Sequence, residues 1–156
     1  MKYLRCSPEY IEKHRAEFEA LYLQLLSVHY PEKMDVLEGE APDRINKMIG
    51  YVAEGAGVII AAEENEKVYG YAHGYCRDFL NEKRMMLDGL VVAPSYRGKG
   101  VGRQLEKELE EVALAAACHS MELLVTTNNP SAMAFYLGNG YADSRLHMVK
   151  PLGARE

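Results

Sequence analysis

Two adjoining stretches decide the reading of this chain: Met85-Met86-Leu87-Asp88-Gly89-Leu90-Val91-Val92-Ala93-Pro94, then Ser95-Tyr96-Arg97-Gly98-Lys99-Gly100-Val101-Gly102. The first is apolar apart from one acid, which predicts a buried central strand that Pro94 stops. The second is rich in glycine and basic residues. It runs into a helix expected over about 101–118, with Leu105, Leu109, Val112 and Ala116 as its buried stripe. N–H groups at a helix start carry partial positive charge and bind phosphate oxygens. Glycines let that backbone approach a ligand without a Cβ in the way. Arg97, Lys99 and Arg103 add charge, so strand, loop and helix together read as a pyrophosphate cradle.

Two common nucleotide loops fit poorly. A Walker-type loop needs Ser or Thr after its lysine to hold magnesium, and Lys99 is followed by Gly100. A dinucleotide fingerprint needs a third glycine where Arg103 stands. It would also open a βαβ unit, whereas this loop comes late, after an expected hairpin.

Upstream, a short strand is expected at 2–6. An amphipathic helix follows over 8–29, from Ile11, His14, Phe18, Leu21, Leu25 and Val28. The segment 31–42 reads as polar and loop-like, with Pro31, Gly39 and Pro42 as punctuation. A second helix is expected over 42–54. Val58–Ala62 and Val68–Tyr75 read as an antiparallel pair around a charged turn, with a linker at 77–83. Downstream come a strand over 121–126, a turn at Asn128-Asn129-Pro130 and a helix over 131–137. Gly138-Asn139-Gly140 ends that helix, and strands at 141–142 and 146–149 complete the sheet. The order β-α-α-β-β-β-α-β-α-β(-β) makes one α+β domain over 1–156.

The 156 residues carry a net charge of −5, 48% hydrophobic and 26% charged side chains, the balance of a soluble globular domain. The acidity argues against a general nucleic-acid binder. Residues 93–103 run against it, with three cations and no acid. No apolar run approaches the roughly 18 residues of a membrane span, and no signal peptide is legible. Cys6, Cys76 and Cys118 lie far apart without a CxxC, so three reduced thiols in a cytoplasmic protein are expected, with neither a disulfide framework nor a metal site.

The spacing Arg97-x-x-Gly100-x-Gly102 resembles the acyl-CoA pyrophosphate loop of the GCN5-related N-acetyltransferase (GNAT) superfamily. So does Asn129-x-x-Ala132-x-x-Phe135-Tyr136-x-x-x-Gly140-Tyr141, which is similar to that family's Asn-x-x-Ala-x-x-Phe-Tyr-x-x-x-Gly-Phe segment. The resemblance is sharp over 85–142 and only topological over 1–84. It implies a mixed, mostly antiparallel central sheet flanked by helices. It also implies transfer of an acetyl group from acetyl-CoA to a primary amine, the acceptor being a small molecule or a protein amine. A homodimer would be usual for the family.

By the same resemblance, main-chain groups of Leu90, Val91 and Val92 pair with pantetheine amides, and one strand N–H faces the thioester oxygen. Main-chain N–H groups of Arg97, Gly98, Lys99, Gly100, Val101, Gly102 and Arg103 hold the pyrophosphate. A lysine-like amine has a pKa of about 10.4 and must lose a proton before it attacks. Asp88 is the general-base candidate, nine residues before the loop arginine. Relatives often carry the longer Glu there, which favours relay through water; a strand-end acid bound to backbone or an arginine is the alternative. Tyr136 is the general-acid candidate, or else a tyrosine that packs on the cofactor. Asn129 bonds the cofactor or caps the helix before Pro130. Tyr69, Tyr71 and Tyr75 are expected on one strand face, opposite a structural His73. Glu122 reads as a solvated strand end, the Cys118 and His119 side chains as diverging, and Glu106, Glu108, Glu110 and Glu111 as a solvated face. A non-catalytic acyl-CoA-binding domain on the same scaffold is the rival reading.

Overall fold

The computed structural model describes residues 1–153; residues 154–156 of the expected single domain lie outside them. Five strands form one sheet: β1 (Lys2–Arg5), β2 (Val58–Glu64), β3 (Lys67–Phe79), β4 (Glu82–Val92) and β5 (Ser120–Glu122). They lie in the order β1-β2-β3-β4-β5. Every pair is antiparallel except β4–β5, which is parallel because a helical crossover joins them. Among the described residues five α-helices accompany the sheet: α1 (Pro8–Lys13), α2 (Arg15–His29), α3 (Met34–Ala53), α4 (Val101–Ala115) and α5 (Pro130–Gly138). The implied α+β architecture is the one observed.

Strand alternation splits the core into two layers. Ile59 and Ile60 are neighbours, yet they enter opposite layers. Ile59 joins Ile11, Phe18, Leu21, Ile45, Met48 and Tyr71 under α1–α3. Ile60 joins Ala72, Met85, Leu87, Leu105 and Leu109 under α4. Leu105 and Leu109 are fully buried. Truncating either to Ala would cost about 2–5 kcal/mol, since the rigid sheet opposite cannot collapse into the space.

Several boundaries differ from the sequence reading. The first helix is broken at His14, which ends α1 and begins α2 with φ −105° and ψ 22°. The segment 31–42 is a short 3₁₀ turn (Pro31–Lys33) and then the first part of α3. Leu37, Ala41, Ile45 and Met48 keep one buried stripe running through Pro42, and that burial outweighs the missing N–H. The carbonyl of Pro42 accepts from Arg15 Nη1 at 3.3 Å. No linker occupies 77–83: β3 runs to Phe79 and β4 starts at Glu82. Leu80 (φ 50°) and Asn81 (φ 64°) form a two-residue turn, both in the left-handed region.

The strand expected over 121–126 stops at Glu122. The strands expected at 141–142 and 146–149 do not form; residues 141–153 hold no regular element. The chain instead folds back on α5, where Tyr141 N donates to Tyr136 O at 3.1 Å.

Sequence reading missed one further feature. His73 pairs with Gly89 and Gly74 with Leu87, so Asp88 is an extra residue bulged out of β4. Facing inverts there. Met85 and Leu87 belong to the α4 layer before the bulge, and Leu90 and Val92 after it, while Val91 crosses to the other layer.

Candidate active site

The bulge sits where the sheet opens. β5 pairs with Arg84, Met85 and Met86, so from Leu87 to Val92 no strand of the described residues runs beside that edge of β4. Unpaired strand edges present N–H and C=O groups to any extended partner. Leu90 and Val92 wall this gap from the α4 side, while Val91 is buried. The carbonyl of Val92 already accepts from Gln24 Nε2 at 2.9 Å and Arg97 Nε at 3.0 Å. An amide paired there would replace one of these donors.

Past Val92 a short 3₁₀ turn (Pro94–Tyr96) leads into the glycine loop. Arg97 N donates to Pro94 O at 3.3 Å, so the N–H expected to start the cradle closes the turn instead. Gly98 and Gly100 have φ of 73° and 81°, and a Cβ on either would meet open space. Their backbone shape, not crowding, requires glycine. Gly100 is the N-cap of α4 and offers no side chain to the helix, so the N–H groups of the first turn, beginning at Val101, Gly102 and Arg103, lack a side-chain cap. Among the described residues, no carboxylate lies within ion-pair distance of Arg97, Lys99 or Arg103. Lys99 Nζ rests 5.3 Å from the centre of the Tyr96 ring. Uncapped N–H groups, glycines in the left-handed region and unpaired cations fit the pyrophosphate of coenzyme A. An open cleft of about 500 Å³ runs along α4 to the end of α5, lined by Arg103 and Lys107 and also by the acids Glu106, Glu110 and Glu111.

Asp88 is not a buried acid. The bulge leaves its side chain 52% exposed, with Oδ2 3.6 Å from His73 Nδ1. His73 is buried, and its Nε2 has no hydrogen-bond partner among the described residues. It lies on the α3 side, beside Gly57 and Tyr51, and so shares the face of Tyr71 rather than opposing it. Burial pushes the His73 pKa down, Asp88 pulls it back up, and Arg44 on α3 adds to the lowering. The imidazole is therefore neutral at pH 7. Arg44 itself lies over the Tyr22 ring, 5.8 Å from its centre.

Tyr136 on α5 packs against the core layer under α4, the layer that holds Leu90 and Val92. Its ring packs edge-on to Phe135 and Tyr141, at 5.2 and 5.5 Å between centres. Its hydroxyl makes no hydrogen bond to the described residues. Burial first, and then the charge of Glu106, push its pKa up to about 12, so the phenol keeps its proton at neutral pH. Asn129 caps α5: its Oδ1 accepts from Ala132 N at 3.2 Å.

Glu106 overturns its assignment to a solvated face. It is 5% exposed and accepts from the Tyr141 hydroxyl at 3.0 Å. Burial raises its pKa. Nothing in the sequence signals this, because the burial of Glu106 depends on the Tyr141 segment that follows α5. Glu122 is likewise not a free strand-end acid: Arg77 and Arg84 both pair with it and hold its pKa down. His119 Nδ1 accepts from Lys83 N at 3.3 Å, away from Cys118. No group of three or more metal-ligating side chains and no helix long and apolar enough to cross a membrane occurs among the described residues.

The same fold recurs in known proteins. The chain superposes on a tetramutant of the BH1408 protein of Bacillus halodurans with a TM-score of 0.82 and 21% identity, covering 97% of this chain and 100% of that one. Aminoglycoside N-acetyltransferase AAC(6')-Iy in complex with CoA gives a TM-score of 0.71 at 17% identity, over 97% and 95% of the two chains. By sequence, the chain is 36% identical to bovine (Bos taurus) thialysine N-epsilon-acetyltransferase over 61 residues, 39% of this chain and 36% of that protein. It is 30% identical to human (Homo sapiens) spermidine/spermine N(1)-acetyltransferase-like protein 1 over 61 residues, 39% of this chain and 9% of that protein. The match thus spans about a third of the bovine relative and a tenth of the human one. The profile of the Acetyltransferase (GNAT) family matches residues 9–141, and with strand gap, glycine loop and paired motifs in that family's order, the chain belongs to it.

Proposed function

We propose that this chain transfers an acetyl group from acetyl-CoA to a primary amine. The observation that carries the reading is the open edge of β4, which runs from the exposed Asp88 into the uncapped start of α4. When bound, acetyl-CoA supplies the acyl group as a thioester. The loop from Gly98 to Arg103 holds its pyrophosphate through main-chain N–H groups, with Lys99 and Arg103 nearby. Main-chain groups of Leu90, Val91 and Val92 align the pantetheine arm. Asp88 is exposed to solvent and one methylene shorter than Glu, so it takes the acceptor's proton through water. Tyr136 keeps its proton until the sulfur leaves, and supplies it there. Asn129 Oδ1 caps α5, and its Nδ2 donor is left for the cofactor. The acidic surface suits a cationic acceptor, and the curated relatives' names point to small amines.

A thiol-release screen with acetyl-CoA over an amine panel tests this. The panel includes thialysine, spermidine and an aminoglycoside, and longer acyl-CoAs follow. We expect thiol release with at least one amine, and a loss of about a hundredfold in kcat for Tyr136→Phe with little change in KM for acetyl-CoA. Unchanged turnover in that variant sinks the acid role. A Tm raised by acetyl-CoA with no thiol release from any amine makes the chain a binding domain instead.

A further inference from the structure

Outside the gap, the described residues bring together one pair of reactive side chains that acyl transfer does not use. Cys76 on β3 and Cys118 beyond the end of α4 are 42 positions apart in sequence, yet their sulfurs lie 3.6 Å apart and share a hydrogen bond. The sequence reading took all three thiols to be remote from one another. Cys6 is: it is buried at 4% exposure in the layer under α1–α3. Cys76 is exposed and Cys118 half-buried, so an oxidant in solvent reaches the pair.

The approach is not an accident of a loose loop, because each sulfur hangs from pinned backbone. Cys76 is in register with Met85 inside the long β3–β4 ladder. Cys118 is tied on both sides. Its own N–H donates to Ala113 O at 2.9 Å, and the next N–H, of His119, donates to Lys83 O at 2.7 Å. Ala117, with φ 60°, holds the tight turn that delivers Cys118 there. Burial and the neighbouring sulfur push the Cys118 thiol pKa up, and the positive charge of Lys83, whose Nζ donates to Ala116 O at 3.0 Å, opposes that rise. A disulfide needs the sulfurs to close by roughly 1.5 Å, to about 2.05 Å.

We propose that Cys76 and Cys118 form a reversible intramolecular disulfide when the protein meets a peroxide. The Cys76 thiolate attacks one peroxide oxygen, the O–O bond breaks, and hydroxide leaves, giving a sulfenic acid on Cys76. The Cys118 sulfur then attacks the Cys76 sulfur, and the S–O bond breaks. In sum, two thiols and one hydrogen peroxide give one disulfide and two waters. The bond spans β4, tying β3 to the turn that feeds β5. Since β5 starts two residues after Cys118, the link fixes the root of the gap beside β4.

The test treats the full chain with equimolar hydrogen peroxide, then alkylates under denaturing conditions. The expected result is a mass lower by about 2 Da before alkylation, with alkylatable thiols falling from three to one, at Cys6. A peptide pair joined through Cys76 and Cys118 is expected too, and dithiothreitol restores all three thiols. Cys76→Ser and Cys118→Ser each abolish the 2 Da loss and keep the wild-type Tm when reduced. Three surviving thiols overturn the proposal. So does added oxygen on a cysteine with no crosslinked peptide, or a disulfide-linked dimer in place of the internal bond.

Discussion

Glu106 shows how one residue sets the tone of the site. Its carboxylate is buried, with the Tyr141 hydroxyl as its one hydrogen-bond partner among the described residues, and its charge reaches Tyr136. A carboxyl whose folded pKa is raised above its unfolded value is favoured while protonated. The stability it contributes is therefore full below about 4.5 and is lost as pH rises through the folded pKa. Glu106→Gln keeps an acceptor for Tyr141 and removes that loss. Its Tm should exceed that of the parent at pH 8 and converge with it at pH 4; scanning calorimetry at the two pH values checks this, and a constant offset contradicts it. With the Glu106 charge gone, the Tyr136 phenol should also titrate lower.

The turn joining β3 to β4 is the clearest mismatch between an element and its residues. Leu80 and Asn81 both take positive φ, which suits Asn and Gly and penalises Leu. Replacing the pair by Asn-Gly should stabilise the chain by about 1 kcal/mol, read as a higher urea midpoint at unchanged m. The same mismatch explains why the hairpin was illegible: without a turn signal, 77–83 reads as a linker. Helix α4 was legible because Leu105 and Leu109 repeat at helical spacing below a glycine loop. The first part of α3 was not, because Pro42 and Gly39 look like loop punctuation while Leu37, Ala41 and Ile45 carry the burial. The loop and the Asn129–Tyr141 segment were readable as motifs. The neighbours of those motifs were not: whether Asp88 is buried depends on strand register, and whether Glu106 is buried depends on where α5 lands.

Charge is distributed over the whole molecule in a way the net value of −5 conceals. Arg97, Lys99 and Arg103 cluster in the loop before α4, and among the described residues no carboxylate pairs with them. Coenzyme A should therefore bind more weakly as salt rises. Gly100→Asp adds a negative charge at the cradle and a Cβ where φ is 81°. Titration calorimetry should show at least a tenfold loss of affinity for coenzyme A, and an unchanged Kd removes the loop from the binding site. Arg97→Ala should cost less, since its guanidinium already faces Val92 O.

The single extra residue in β4 also has a practical consequence for anyone who re-engineers this protein. A strand is normally edited by odd and even positions, one parity for each side. Here the parity rule holds on either side of Asp88 but with opposite sign. A library that randomised every second position along the whole strand would vary one layer at its start and the other at its end. Excising residue 88 would remove the carboxylate yet keep every facing, because Leu87, Gly89 and Leu90 would then alternate regularly and Leu90 and Val92 would still meet α4.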